Sequence, residues 1–196
     1  MPERKPRKDA VNNRKLVLAA ADALFARRAR PQEVTMDSIA AEAGVGKGTL
    51  FRAFGDRTGL LRAVYQARLE PIMLCVASGS GPWGPEVPAR ERIPALLDAL
   101  LCFKLDNRSL MLALEEADSA SLYLSAQYGQ WHDLLRGLLA QLPGTIDSAF
   151  TAHALLAAVR ADLVEHLASE EDFSREDLRE QLAVFIRTVL SARTAV

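Results

Sequence analysis

Lys47 and Thr49 alternate with Gly46 and Gly48, which sets a cation and a hydroxyl at the head of a short segment with little side-chain bulk. A helix that opens this way can bring its first amides, an ammonium and a hydroxyl against phosphate oxygens or base edges. Phe51 and Arg52 continue the same segment, and Arg57 opens the next one. This is contact chemistry toward a polyanion, not bond-making chemistry. The motifs that would signal catalysis are missing: no P-loop, no GxSxG, no HExxH and no GxGxxG after a strand. His132-Asp133 is a lone adjacent pair with no nucleophile near it in sequence. No catalytic residue, cofactor or metal is therefore expected. Cys75 and Cys102 lack CxxC or Cys/His spacing and lie in apolar runs, so they read as buried thiols of a reducing cytoplasm. His132 and His153 have no third ligand spaced with them and read as satisfied polar groups.

Charge is divided along the chain. The net is −1, yet residues 1–62 carry 13 Lys+Arg against 7 Asp+Glu, and the remainder carries 11 against 18. A basic end on an acidic body fits one end meeting a polyanion. Hydrophobic residues make up 49% and aromatics only 6%, with abundant Ala, Leu, Arg and Glu and no sustained Val/Ile/Thr alternation. The fold class is therefore all-α. No apolar run reaches the length of a membrane span, and the basic start lacks the apolar core of a secretory signal, so no membrane partner and a cytoplasmic location are expected.

The elements that must position Lys47 and Thr49 follow from punctuation. Residues 1–11 read as a disordered basic leader, either an arm for a DNA groove through Arg4, Lys5, Arg7 and Lys8 or a solvated tail. A helix is predicted from Asn13 to Ala29, with Leu16, Ala20, Ala23, Leu24 and Ala26 as its apolar stripe, widened by Leu18 and Phe25. Pro31 breaks it. Thr35 supplies an N-cap hydroxyl for a short helix Met36–Ala43, with Ser38 in its first turn. Gly44 ends that helix in a left-handed conformation. A second short helix runs from Gly46 or Lys47 to Phe54, and a long one from Arg57 to Ala77, bent near Pro71. Ile39, Ala40, Ala43, Val45 and Leu50 are the pegs of a helix-turn-helix unit. After the Gly/Pro-rich loop 78–88, helices are predicted at 89–105, 108–117, 120–142, 146–168 and 175–193, with Ser174 and Asp177 as a capping box before the last. The division is a DNA-binding domain over 1–56, with three helices, and a helical ligand-binding and dimerisation domain over 57–196.

The run IAAEAGVGKGTLFRAFGDRTGLL resembles the TetR/AcrR-family signature, an AGVS-x-GTLY-x-HF core leading into a Lys/Arg and a Leu-Leu pair. The likeness covers about Asn13–Leu61. It implies that Thr35 caps the first motif helix and donates to a phosphate. Lys47 and Thr49 then contact bases or phosphates, Gly46 and Gly48 let the backbone approach, Arg57 reaches a phosphate, and Arg52 reaches a phosphate or a base. There are departures. Phe51 stands where a tyrosine hydroxyl binds phosphate, Ala53 where His or Tyr is frequent, and Ala29 where Gly is common. The stretch from Phe25 to Ile39 is also one residue longer than usual. The function implied is a ligand-responsive regulator, by family habit a repressor, binding double-stranded DNA as a homodimer and released by a small-molecule effector. The alternative is a helical sensor or scaffold that has lost sequence-specific DNA binding.

The body offers two further sites. The helix 146–168 is apolar on two sides, with Ile146, Phe150, His153, Ala157, Ala161 and Val164 on one and Ala152, Leu155, Leu156, Val159, Leu163 and Leu167 on the other. The second side needs another subunit or the interior of one large monomer. Phe150, Ala157 and Ala161, with Leu182, Phe185 and Val189 of the last helix, are the expected dimer contacts. Phe103, Met111, Tyr123, Tyr128 and Trp131, with Leu110, Leu114 and His132 nearby, either line an effector pocket or are plain core. Glu115-Glu116 either binds a cationic ligand or is a solvated face.

Overall fold

Ten α-helices make up most of the regular structure among the described residues, with a 3-10 turn at Gly81–Trp83. A computed structural model describes residues 5–27, 33–78, 81–117, 126–144 and 147–192, and only the backbone of 5–9, 115–117 and 192. The helices are α1 Lys5–Arg27, α2 Met36–Ala43, α3 Lys47–Phe54, α4 Arg57–Ser78, α5 Ala89–Asp106, α6 Arg108–Ala117, α7 Ala126–Leu139, α8 Ser148–Ala157, α9 Ala161–Ser169 and α10 Arg175–Ala192. They form two compact units. One comprises the described residues of Met1–Glu70 and Ser109–Ser119, the other those of Pro71–Arg108 and Ala120–Val196. The division falls inside α4, at Pro71, where the chain lacks a backbone donor.

In the first unit α1 packs on α2 and α3, which pack on each other. The buried face of α1 is Val17, Ala20, Ala21, Leu24 and Phe25, a strict i, i+3, i+4, i+7, i+8 stripe. This corrects the expected stripe: Leu16 and Ala26 face outward, and Val17 is the true start. The helix also begins at Lys5 rather than near Asn13. Pro6 falls in its first turn, where a missing N–H and a fixed φ are tolerated, and no breaker follows. Of the basic leader, Arg4 and the side chains of Lys5, Arg7 and Lys8 lie outside the described residues. Ile39 and Ala40 of α2, Leu50 of α3 and Leu60, Leu61 and Val64 of α4 complete this core. Arg68 of α4 donates to the Asp22 carboxylate of α1.

The second unit is organised on α5, which packs against α7, α9, α10 and the 3-10 turn. Its buried residues, Ile93, Leu96, Leu97, Leu100 and Leu101, repeat the helical stripe, and Arg92 and Phe103 widen it into the broad arc a central helix needs. Paired carboxylates fix α10: Arg179 grips Asp98 at 2.7 and 2.8 Å, and Arg175 pairs with Asp106. The Ser174–Asp177 capping box opens α10 as expected, with Asp177 N donating to Ser174 Oγ at 3.1 Å and Ser174 N to Asp177 Oδ2 at 3.0 Å.

The stretch read as one helix over 146–168 is two, α8 and α9. The ladder tightens to i→i−3 bonds at Val159 and Arg160, whose amides donate to Leu156 and Ala157. The Val159 carbonyl takes its bond from the Lys104 ammonium. Arg160 then turns to Asp162, which holds that carboxyl below the usual carboxylate range. The register shifts at this break, so Val164 is buried and Leu163 exposed, the reverse of what an unbroken helix predicts. Both cysteines are free thiols, but they are only half-buried rather than buried as expected. No helix among the described residues is long and apolar enough to cross a membrane.

Candidate nucleic-acid interface

The α2–turn–α3 unit is built by local chemistry. Thr35 Oγ1 accepts from Ser38 N at 3.1 Å and Ser38 Oγ accepts from Thr35 N at 2.9 Å, a reciprocal capping box that satisfies two orphan donors of α2. Gly44, at φ 64°, ends α2 in the left-handed region, with its own amide bonded to Ala41 O and that of Val45 to Ala40 O. The chain re-enters helix at once: Gly46 is the N-cap of α3, and Thr49 N donates to its carbonyl at 2.9 Å. Leu50 locks α3 into the core.

The remaining face of α3 is open. Lys47, Gly48, Phe51 and Arg52 are exposed, at i, i+1, i+4 and i+5, and Thr49 is half-buried at their margin. Phe51 keeps 46% of its surface, a large apolar group between cations. Neither Gly46 nor Gly48 is dictated by the fold: a Cβ at either position meets nothing within 4 Å, and Gly46 has φ −68°. Arg57 is half-buried, and its Nη2 donates to the Val34 carbonyl at 3.5 Å, ahead of α2.

Three residues of this unit carry no signal in the sequence. Arg14 of α1 donates to the Ala53 carbonyl at 3.2 Å and lies 4.6 Å from the Phe54 ring centroid, so it pins the C-terminal end of α3. Asp37 pairs with Lys47 at 2.6 Å. Gly59, in the first turn of α4, lies so close to Phe54 O that any Cβ would collide with it. Hydrophobic period and turn chemistry are silent on all three, because each depends on contact between helices.

A family model described as bacterial regulatory proteins of the tetR family matches residues 17–64. An HTH-type transcriptional regulator of Staphylococcus aureus (strain bovine RF122 / ET3-1) is 32% identical over 128 residues, 65% of this chain and 67% of that protein. The chain belongs to the TetR family. It is a transcriptional regulator with a helix-turn-helix DNA-binding unit. The fold extends beyond the motif. A TetR-like transcriptional regulator from Rhodococcus sp. RHA1 superposes with a TM-score of 0.59 at 22% identity, covering 91% of this chain and 96% of that one. NalD from Pseudomonas aeruginosa, the secondary repressor of the MexAB-OprM multidrug efflux pump, does so with 0.61 at 21%, covering 91% and 96%.

Within this TetR-family chain the other expected sites are placed as follows. Phe103 and Trp131 are buried in the second unit and Met111 in the first, whereas Tyr123 lies outside the described residues. Tyr128 is half-buried at the α7–α8 seam, its hydroxyl 2.6 Å from His153 Nδ1, and the His153 ring stacks on His132 at 4.1 Å. On α8, Thr151, Ala152, Leu155 and Leu156 are buried, while Phe150, His153 and Ala157 face outward. On α10, Leu178, Leu182, Ile186 and Leu190 are buried, Phe185 is exposed and Val189 is half-buried, as is Ala161 of α9. Leu182 thus serves its own core, and a charge there tests the fold rather than an interface.

The open space at Gly48 gives a first expected outcome. Gly48→Ala should stabilise α3 by a few tenths to about 1 kcal/mol, since alanine is the better helix former and nothing obstructs its methyl. The same methyl should lower DNA affinity where the backbone approaches the groove. Thermal unfolding followed by circular dichroism, alongside fluorescence anisotropy on labelled DNA from upstream of the gene, reads both. Undiminished DNA affinity would mean that the helix stands off the duplex at this point.

Proposed function

We propose that this chain is a homodimeric repressor of the cytoplasm that binds a palindromic operator and leaves it when a small-molecule effector binds the second unit. The observation that carries the reading is the open face of α3, where Lys47, Phe51 and Arg52 surround a glycine that the fold does not require. In this reading Lys47 and Thr49 contact bases or phosphates, Arg52 a phosphate or base, and Thr35 and Arg57 phosphates at the two neighbouring helix starts. Gly46 and Gly48 admit the backbone, and Phe51 packs where other members place a hydroxyl.

The effector site is assigned to the surroundings of Phe103, Tyr128 and Trp131 in the second unit. Trp131 supports this, because its indole N–H is buried with no hydrogen-bond partner among the described residues. A buried donor of this kind is suited to an acceptor on a ligand. Release then runs through α4, the helix that the two units share. An effector shifts DNA binding only by its differential affinity for the two states, and a coupling of about 1–3 kcal/mol changes it by about 5–150-fold. The dimer contacts are Phe150, Ala157 and Ala161 with Phe185 and Val189.

The test is a titration with DNA from upstream of the gene. Lys47→Ala should weaken binding by about 1–3 kcal/mol, the discrimination a base contact supplies, with helical content and molecular mass unchanged. Affinity equal to the wild type within error would remove Lys47 from the interface.

A further inference from the structure

The cation at the head of α3 is not solitary. Lys47 Nζ lies 2.6 Å from Asp37 Oδ2, with the two side chains 61% and 63% exposed. Asp37 stands in the first turn of α2, where a carboxylate favours the helix dipole but is not needed as a cap, because Thr35 and Ser38 already close the capping box. Its carboxylate therefore reaches across the motif to the residue best placed to meet DNA.

The consequence is electrostatic. A Lys–Asp pair has no net charge, so while it lasts it neutralises no phosphate and releases no counterion. Breaking it is a fixed penalty on every DNA contact that Lys47 makes. A phosphate offers Lys47 little more than the carboxylate it must leave. Base acceptors in the major groove, such as guanine O6 and N7, offer a sequence-dependent gain that phosphates cannot match.

We propose that Asp37 is a specificity-determining residue, which holds Lys47 in an ion pair that suppresses non-specific DNA binding and yields only where the duplex presents base acceptors to the ammonium. This rests on the reading that α3 faces DNA. It adds the cost of breaking an ion pair, set against wrong sequences, to the attractive contacts already described.

The experiment uses the full chain and a random-sequence DNA duplex, with affinity measured by fluorescence anisotropy over a range of salt. Asp37→Asn should raise affinity for this duplex about two- to fivefold, the scale of an exposed ion pair. It should also steepen the salt dependence by about one further phosphate contact. Asp37→Glu, which keeps the carboxylate, should behave as the wild type. In the Lys47→Ala background Asp37→Asn should have no effect, because the gain comes from freeing that ammonium. An unchanged or weakened affinity in Asp37→Asn overturns the proposal, and so does a gain that persists without Lys47, since Asp37 would then act by plain repulsion. A wild-type chain that binds no duplex even at low salt overturns the DNA-facing reading as well, whereas one that binds and loses affinity on Lys47→Ala leaves only the role of Asp37 in question.

Discussion

Gly59→Ala should destabilise the first unit by about 1–3 kcal/mol or more, the scale of forcing extra atoms into a packed site. The substitution looks harmless, for it exchanges a poor helix former for the best one inside a helix. Geometry reverses the sign. A Cβ at Gly59 would run into Phe54 O and come within 3.3 Å of Phe54 C. These are backbone atoms, which cannot swing aside as a side chain can. The close approach is imposed by the α3–α4 turn: Asp56 Oδ1 accepts from Gly59 N at 2.7 Å and Asp56 O from Leu60 N at 3.1 Å, so the first turn of α4 is capped beneath the end of α3. Relieving the clash moves the C-terminal end of α3, which Arg14 also holds, and so disturbs the presentation of Lys47, Phe51 and Arg52. Urea or thermal unfolding should show the loss, and DNA affinity should fall with it. For stability, Gly48→Ala is the matched control, the same substitution in a neighbouring helix with the opposite expected sign. A Gly59→Ala protein as stable as the wild type would mean that the turn relaxes without difficulty.

What is legible in the sequence is what local rules govern. Thr35 with Ser38, Gly44 and the start of α3 all follow from cap and turn chemistry within a few residues, and they frame the motif. The α1 stripe lies one position from its expected start because Leu16, Val17 and Leu18 are all apolar, and only contact with α2 and α3 selects Val17. The break between α8 and α9 has no Pro or Gly to announce it, since its stabilisation comes from Lys104 on a helix more than fifty residues away. Gly59 and Asp37 are equally silent in sequence. The first needs the path of the α3–α4 turn, and the second needs two short helices placed side by side.

The second large effect concerns assembly, and the burial pattern of α8 chooses the residue. Phe150 is 72% exposed, and His153 and Ala157 face outward with it, while the opposite side of α8 is buried in its own unit. An exposed phenylalanine of this size costs the monomer nothing to replace, because substitutions away from packed features stay within about 0.5 kcal/mol. Across a two-fold axis the same ring would be buried twice, and each burial contributes about 1.5–3 kcal/mol. Phe150→Glu should therefore remove both contributions and set like charges against each other, shifting the protein toward monomers with wild-type helical content. Adding Phe185→Glu, on the exposed side of α10, should complete the dissociation. The effect on DNA should exceed that of any single contact, because two half-sites joined in one dimer gain about 10²–10⁴ in avidity, all of which a monomer forgoes. Leu182→Glu could not separate assembly from folding, since that side chain is 7% exposed and the variant would lose its core before its partner. Light scattering measures the mass and anisotropy the DNA affinity. A Phe150→Glu, Phe185→Glu protein of dimeric mass would move the interface to another face of the second unit.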